Sequence, residues 1–452
     1  PETKLKPAQK TSFTAKYHHF SGIIQAVKGE LKKAVVHYEN AIKNYKAIGN
    51  YSNLQSAIGV QGRLARLYKK QGELIKSLEI YNEQLDLYTK LNDKKNIADV
   101  LDNIADVEFK LSNYRKAISN YSTAIEIHLS FNSLNNAGFS QSNIGQAYWN
   151  IGKYDSAIFA HRQAIEYRKQ AGSFSGLGYS WKKIGGLFKE TGEKTKALAA
   201  YDSSAYYYTL GKDSTNLKSL LSDIGDVYYN DKQYQKSFDY YMKWHALNVL
   251  GTDKSAIPNS MYQLADAANY FNVDTAKKYA FNCLQISKEI GDQNNEYNAE
   301  MLLGYIAYKG YDYDDGNKYF NAGLSVAIKQ KNKKLEANCY RMIGLANSNK
   351  LDFDKAIPLL QKAIFLYDSL GDKTMLPPAY RYLGSSIQSK GDFYEARKEY
   401  QKAIDLAYAV NSRADVGYGY SALTFLYIIQ GELSKAQMAT DSTYAIFKLL
   451  NN

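Results

Sequence analysis

His18 and His19 are adjacent and His37 follows soon after, so three imidazoles could in principle meet on one metal ion across a single helical hairpin. Neighbouring residues on a helix point in different directions, which argues against that grouping. His128, His161 and His245 stand singly, at positions that suit packing or surface roles. Cys283 and Cys339 are the only cysteines, and both fall where a small or buried side chain is wanted. Neither a disulfide framework nor metal ligation is expected from them. The chain has no nucleophile elbow, no phosphate-binding loop and no paired-histidine metalloprotease helix. The reading is therefore of a protein that is not an enzyme, with no catalytic residues, no metal and no cofactor. Binding is the chemistry left, and binding residues need elements to hold them.

Those elements announce themselves by recurrence. A small residue returns at Gly22, Ala65, Ala105, Gly145, Gly185, Gly225, Ala265, Gly304, Gly344 and Gly384, with Thr424 at the eleventh position. The interval is 40 throughout, apart from a first step of 43 and one of 39. Twelve residues on comes a second small residue, as at Ala117, Ala157 and Ala396; after Ala265 it is Ala276, eleven on. One unit reads as a helical hairpin: Ile144-Gly145 to Tyr148 on the first helix, Gly152 in the turn, Tyr154, Ala157 and Ala164 on the return. A fixed period of this size marks a solenoid, in which each unit contacts only its neighbours.

Length alone would suggest about three domains, and the repeat overrides that. We expect a flexible basic leader over 1–12 and one solenoid over 13–452, irregular around 251–325. There Pro258 opens a helix, the next turn is one residue short, and glycine occupies 304, 316 and 323. Forty-two tyrosines against 17 phenylalanines suit helix seams whose hydroxyls reach a wet edge. Residues 1–70 hold 13 Lys/Arg and 3 Asp/Glu, so nearly all of the net charge of +12 sits at the amino end. Such a field could steer an acidic partner or an anionic membrane surface. No run of 18 apolar residues is present to span a membrane. The last hairpin carries Leu423, Phe425, Leu426, Tyr427, Ile428 and Ile429. It is expected to be covered in a longer polypeptide and to self-associate when it is not.

The motifs resemble the tetratricopeptide repeat. Ile144-Gly145 to Tyr148 and Ile224-Gly225 to Tyr228 match its first helix, and Gly391-Asp392-Phe393 to Ala396 its turn and second helix. The period is 40 rather than the family's usual 34, like the longer subtype, and the resemblance runs over about residues 15–450. It implies an all-α fold: an α-solenoid of about eleven hairpins forming a right-handed superhelix. Composition and the Asp-Ser dipeptides, such as Asp155-Ser156 and Asp368-Ser369, also resemble the sensor regions of bacterial two-component histidine kinases. That would make the chain periplasmic as a sensor region and cytoplasmic as an adaptor; the alternative function is a free-standing adaptor or assembly scaffold, or a peptide-signal receptor.

In this family the first helices line a concave groove, so the register assigns its residues. They are Arg63, Arg66, Lys69 and Lys70; then Asp102, Asn103 and Asp106; then Asn143, Gln146 and Trp149. Lys182, Lys183 and Lys189 follow, then Asp226, Tyr229, Tyr262, Tyr305 and Tyr308. Aromatics on such a wall bind with little entropy loss, which points to a protein or peptide partner. Asn103 and Asn143 share a register from which relatives hold a peptide backbone. Trp149 is expected as the anchor of a ligand with acidic ends and an aromatic centre; the other reading is that it packs on the next repeat. Nucleic acid is not expected, because equivalent positions change chemistry from repeat to repeat.

Overall fold

A computed structural model describes residues 7–251 and 254–450. Among these the chain forms twenty-two helices and no strand. In order they are α1 (Pro7–Val27), α2 (Leu31–Ile48), α3 (Tyr51–Gln71), α4 (Leu74–Lys90), α5 (Lys94–Lys110) and α6 (Tyr114–Ser130). Next come α7 (Leu134–Asn150), α8 (Tyr154–Gln170), α9 (Phe174–Glu190), α10 (Lys194–Leu210), α11 (Ser214–Asn230) and α12 (Tyr234–Leu250). Then follow α13 (Ile257–Ala268), α14 (Val273–Ile290), α15 (Gln293–Lys309), α16 (Tyr313–Lys329) and α17 (Lys333–Asn349). The remainder are α18 (Phe353–Ser369), α19 (Leu376–Lys390), α20 (Phe393–Ala409), α21 (Arg413–Ile429) and α22 (Leu433–Leu450). Two compact units emerge, 1–220 and 221–452, with the break inside α11. The expected flexible leader is corrected in part: α1 starts at Pro7, within that segment, while residues 1–6 lie outside those described.

Helices stop where the backbone turns left-handed. After α7, Gly152 has φ 74°; its N–H donates to the Trp149 carbonyl at 2.9 Å, and that of Lys153 to the Tyr148 carbonyl at 2.9 Å. Two orphan carbonyls are thereby satisfied. Other turns place Asn92, Asn132, Tyr311 or Leu351 in the same conformation. The Asp292, Asp312, Asp352 and Asp392 side chains cap the helices that follow them. Around Ala265 stands a 12-residue α13 with Pro258 in its first turn, followed by α14 capped by Asn272.

The small first-helix residue has a partner that the period also encodes. Sixteen residues after it stands a large ring: Tyr38, Tyr81, Tyr121, His161, Tyr201, Tyr241, Phe320 and Tyr400. In each of these hairpins that ring is the buried filler of the seam. A Cβ at Gly145 would lie 2.8 Å from His161 Nε2, so glycine is required for this approach. Two of these tyrosines reach the first-helix wall with their hydroxyls: Tyr121 donates to Asp106 at 2.5 Å, and Tyr241 to Asp226 at 2.7 Å.

Candidate functional site: the wall of first helices

The register places the expected residues along the first helices, and within each unit many of them are tied to one another. In the first unit, Lys69 reaches Asp106 of the next repeat at 3.2 Å, so Asp106 serves both a lysine and the Tyr121 hydroxyl. Arg63, Arg66, Lys70 and Lys189 are exposed. Asn103 turns its amide back onto the Asp99 carbonyl at 2.7 Å. Gln146 has a buried Oε1 with no partner. Trp149 packs on the following repeat: its Nε1 donates to Glu190 at 2.6 Å, and its ring edge fills the space a side chain at Gly186 would need. Lys183 Nζ lies 5.5 Å from the tryptophan ring and 5.4 Å from Tyr179, and Lys182 donates to Ser219 at 2.7 Å.

Asp102 has become part of a clamp between hairpins. It accepts from Ser140 Oγ at 2.6 Å and bonds His128 Nε2 at 2.9 Å. His128 is thus a buried polar link rather than mere filler. One repeat later the same register holds Ser142, Arg168 and Ser180. The Arg168 guanidinium donates to the Gly176 carbonyl at 2.9 Å and to Ser180 Oγ at 2.5 Å. Among the described residues no carboxylate pairs with it, and burial pulls it down to about 10. His161 beside it is fully enclosed with both ring nitrogens unpartnered. Burial first, then Lys183 and Arg168, lower its pKa to about 3, so it is a neutral imidazole.

In the second unit the wall opens into a cleft of about 340 Å³ over α13, α15 and α17. Tyr262 and Asp266 come from α13; Asn298, Met301 and Tyr305 from α15; Asn338 and Arg341 from α17, with Tyr297 and Phe320 behind. Asp266 accepts the Tyr229 hydroxyl at 2.7 Å, and burial holds its carboxyl above the ordinary range. Tyr229 is pushed up by burial and by its bonds to Tyr270 and Asp266. Asn338 Oδ1 accepts from Tyr367 at 2.6 Å, and the Asn338 side chain also hydrogen-bonds Tyr297 behind the cleft. The Arg341 Nε is buried with no partner among the described residues. Tyr308 bounds the wall beyond, accepting from Asn349 at 2.7 Å.

Tyr262 and Tyr305 were on the expected wall; Asn298, Asn338 and Arg341 were not. Arg341 stands three residues before Gly344, the same offset as Tyr262 before Ala265, so its signal was present two repeats further along. The two asparagines lie six residues before Gly304 and Gly344, a turn outside the positions that the wall was read from. At the amino end, His18 and His37 do meet, Nδ1 to Nδ1 at 3.0 Å, while His19 stacks on Phe20. Cys283 and Cys339 are both buried, and burial drives their thiols to about 11 and about 12.

The tetratricopeptide repeat family model matches residues 56–130 and, one period on, 96–170. Over those residues the sequence is similar to tetratricopeptide repeats. The hairpin they form recurs through the described remainder of the chain. Among solved structures, a Pyrococcus horikoshii signal transduction ATPase with numerous domains, which bears a tetratricopeptide repeat sensor, aligns with TM-score 0.52 at 17% identity. That alignment covers 78% of this chain and 53% of the archaeal one, so the chain spans about half of its neighbour's length. BtubC from P. vanneervenii aligns with TM-score 0.44 at 15% identity, over 49% of this chain and 91% of its own. The C-terminal part of a repeat protein from Cytophaga hutchinsonii gives 0.43 at 18%, over 58% and 94%. No curated protein is detectably similar to the sequence.

Proposed function

We propose that this chain is a non-enzymatic scaffold that holds an extended segment of a protein or peptide on its wall of first helices. The α13–α15–α17 cleft carries the reading: an aromatic floor with a few convergent polar groups is what ligand sites offer. Tyr262, Tyr305 and Met301 supply apolar contact, and the Asn298 and Asn338 amides suit a peptide's main-chain groups. Arg341 takes an acidic side chain or terminal carboxylate, while Asp266 stands at the α13 side for a donor. In the first unit, the basic and aromatic positions from Arg63 to Lys189 offer a first-helix surface of their own. A sensory module, as in the archaeal ATPase, is the more specific form of this proposal; a free-standing adaptor or peptide-signal receptor is the other.

An array of hexapeptides, each with one acidic and one aromatic residue, tests it by fluorescence anisotropy. Binders should lose at least tenfold in affinity with Arg341→Ala and with Tyr305→Ala, while helix content stays unchanged. No binder at all, or binders indifferent to both substitutions, would sink the reading.

A further inference from the structure

The return helices keep a register of their own on their exposed face. Two residues past the small residue of each return helix come Glu79, Ser119, Ala199 and Asp239, and lysine at 278, 318 and 398. Val36, Pro358 and Met438 also fall there. In α8 the place is held by Phe159, the only aromatic in the set, and it is 62% exposed. Clefts of about 510 Å³ and about 520 Å³ leave the ring standing clear, the first shared with Ile118 and Ser122 of α6, the second with Trp181 of α9. A lone exposed ring is ordinary on a protein surface. The charges on either side of this one are not.

Asp155, Phe159 and Arg162 are spaced by four and then three residues, so they form one stripe along α8, and all three are exposed. Asp155 and Arg162 stand two helical turns apart, and neither has an ion partner among the described residues. Further along the helix, Lys169 is already taken by Glu166 at 3.0 Å. The stripe is its own complement. Two α8 helices laid antiparallel, with a two-fold axis between residues 158 and 159, bring Asp155 of each copy opposite Arg162 of the other. The same register sets the two Phe159 rings within about 1.5 Å of each other along the helix axis. A parallel pairing would instead oppose like charges on both sides of the rings. Ser119 on α6 and Ala199 on α10 are small and exposed, so the flanking helices do not hold two copies apart.

We propose that two copies of this chain pair through antiparallel α8 helices, Phe159 against Phe159 and Asp155 against Arg162 twice over. The contact is isologous and therefore closes as a dimer. Its centre is an aromatic pair and its rim two symmetric ion pairs, which fix the register more than they add affinity. One helix pair makes a small interface, so the dimer is a weak, reversible one. The first-helix wall takes no part in it, and the pairing holds whether or not that wall binds a peptide.

Sedimentation velocity on the full chain, across the micromolar range, tests this with variants at exposed positions whose helix content is checked first. Wild type should pass from monomer to dimer as concentration rises, and Phe159→Ser should stay monomeric. Asp155→Arg and Arg162→Asp should each raise the dimer Kd by about tenfold, because symmetry removes two ion pairs at once and sets like charges in their place. An equal mixture of the two variants, or both substitutions in one chain, should restore the wild-type Kd, since every acid again faces a base. A wild type that stays monomeric overturns the proposal. So does a dimer indifferent to these substitutions, which would lie on another face, or a loss that neither the mixture nor the double exchange repairs.

Discussion

His161 shows how one side chain sets a chain's response to acid. Its pKa is lowered to about 3, mainly by burial, from an unfolded value near 6.5. Below about pH 6.5 the unfolded chain takes up a proton that the folded chain refuses, so stability is intact above that pH and falls as pH drops towards 3. The slope for one such group is about 1.4 kcal/mol per pH unit. His161→Tyr should remove it. Gly145 leaves room for the ring, since Gly185 and Gly384 already accept Tyr201 and Tyr400. The new hydroxyl would also sit where Tyr121 and Tyr241 reach the wall, here beside the unpartnered Gln146 Oε1. Urea melts at pH 7.5 and 5.0 should show a smaller acid loss for the variant; an equal loss would place the sensitivity elsewhere.

At the level of the helix, strain collects in turns that lack glycine. Leu351 ends α17 with φ 64° and its side chain 73% exposed, so it bears the left-handed conformation with no packing in return. Leu351→Gly should stabilise by about 1 kcal/mol in a denaturant melt, because the left-handed form costs a branched residue about that much. No gain would mean that the turn is already relaxed. Turns and helices of this kind were legible from sequence, because a single register of small residues at a spacing of 40 fixes both. The irregular α13 was legible too, through Pro258 and the missing residue. The start of α1 was not, since Pro7 and three lysines look like a leader until Ala15, Tyr38 and Ala41 bury against one another. Nor was the engagement of the wall. Trp149 and Asp102 read as free binding groups because the residues they bond, Glu190, His128 and Ser140, lie about 26 to 41 positions away. The cleft went half seen for a similar reason: register gave Tyr262 and Tyr305, but not the asparagines one turn earlier.

Over the whole molecule, stability is a sum of hairpins and of junctions between nearest neighbours, so ligands should protect locally. A peptide that occupies the α13–α17 cleft should slow amide hydrogen exchange there by at least tenfold and leave α3 to α6 unchanged. Uniform slowing would show that the chain opens as one unit. The clamp at Asp102 has a further consequence, for how such a chain changes length over generations. Residues 106–145 span one period and could be excised to join Ala105 to Gln146 with no change of register. The cut carries away His128 and Ser140 and brings Asp102 into one junction with Arg168 and Ser180. Loss of a hairpin would hand the buried guanidinium the carboxylate it lacks. In a lineage of such arrays, charge partners separated by a whole period can be reunited by recombination alone, with no point substitution.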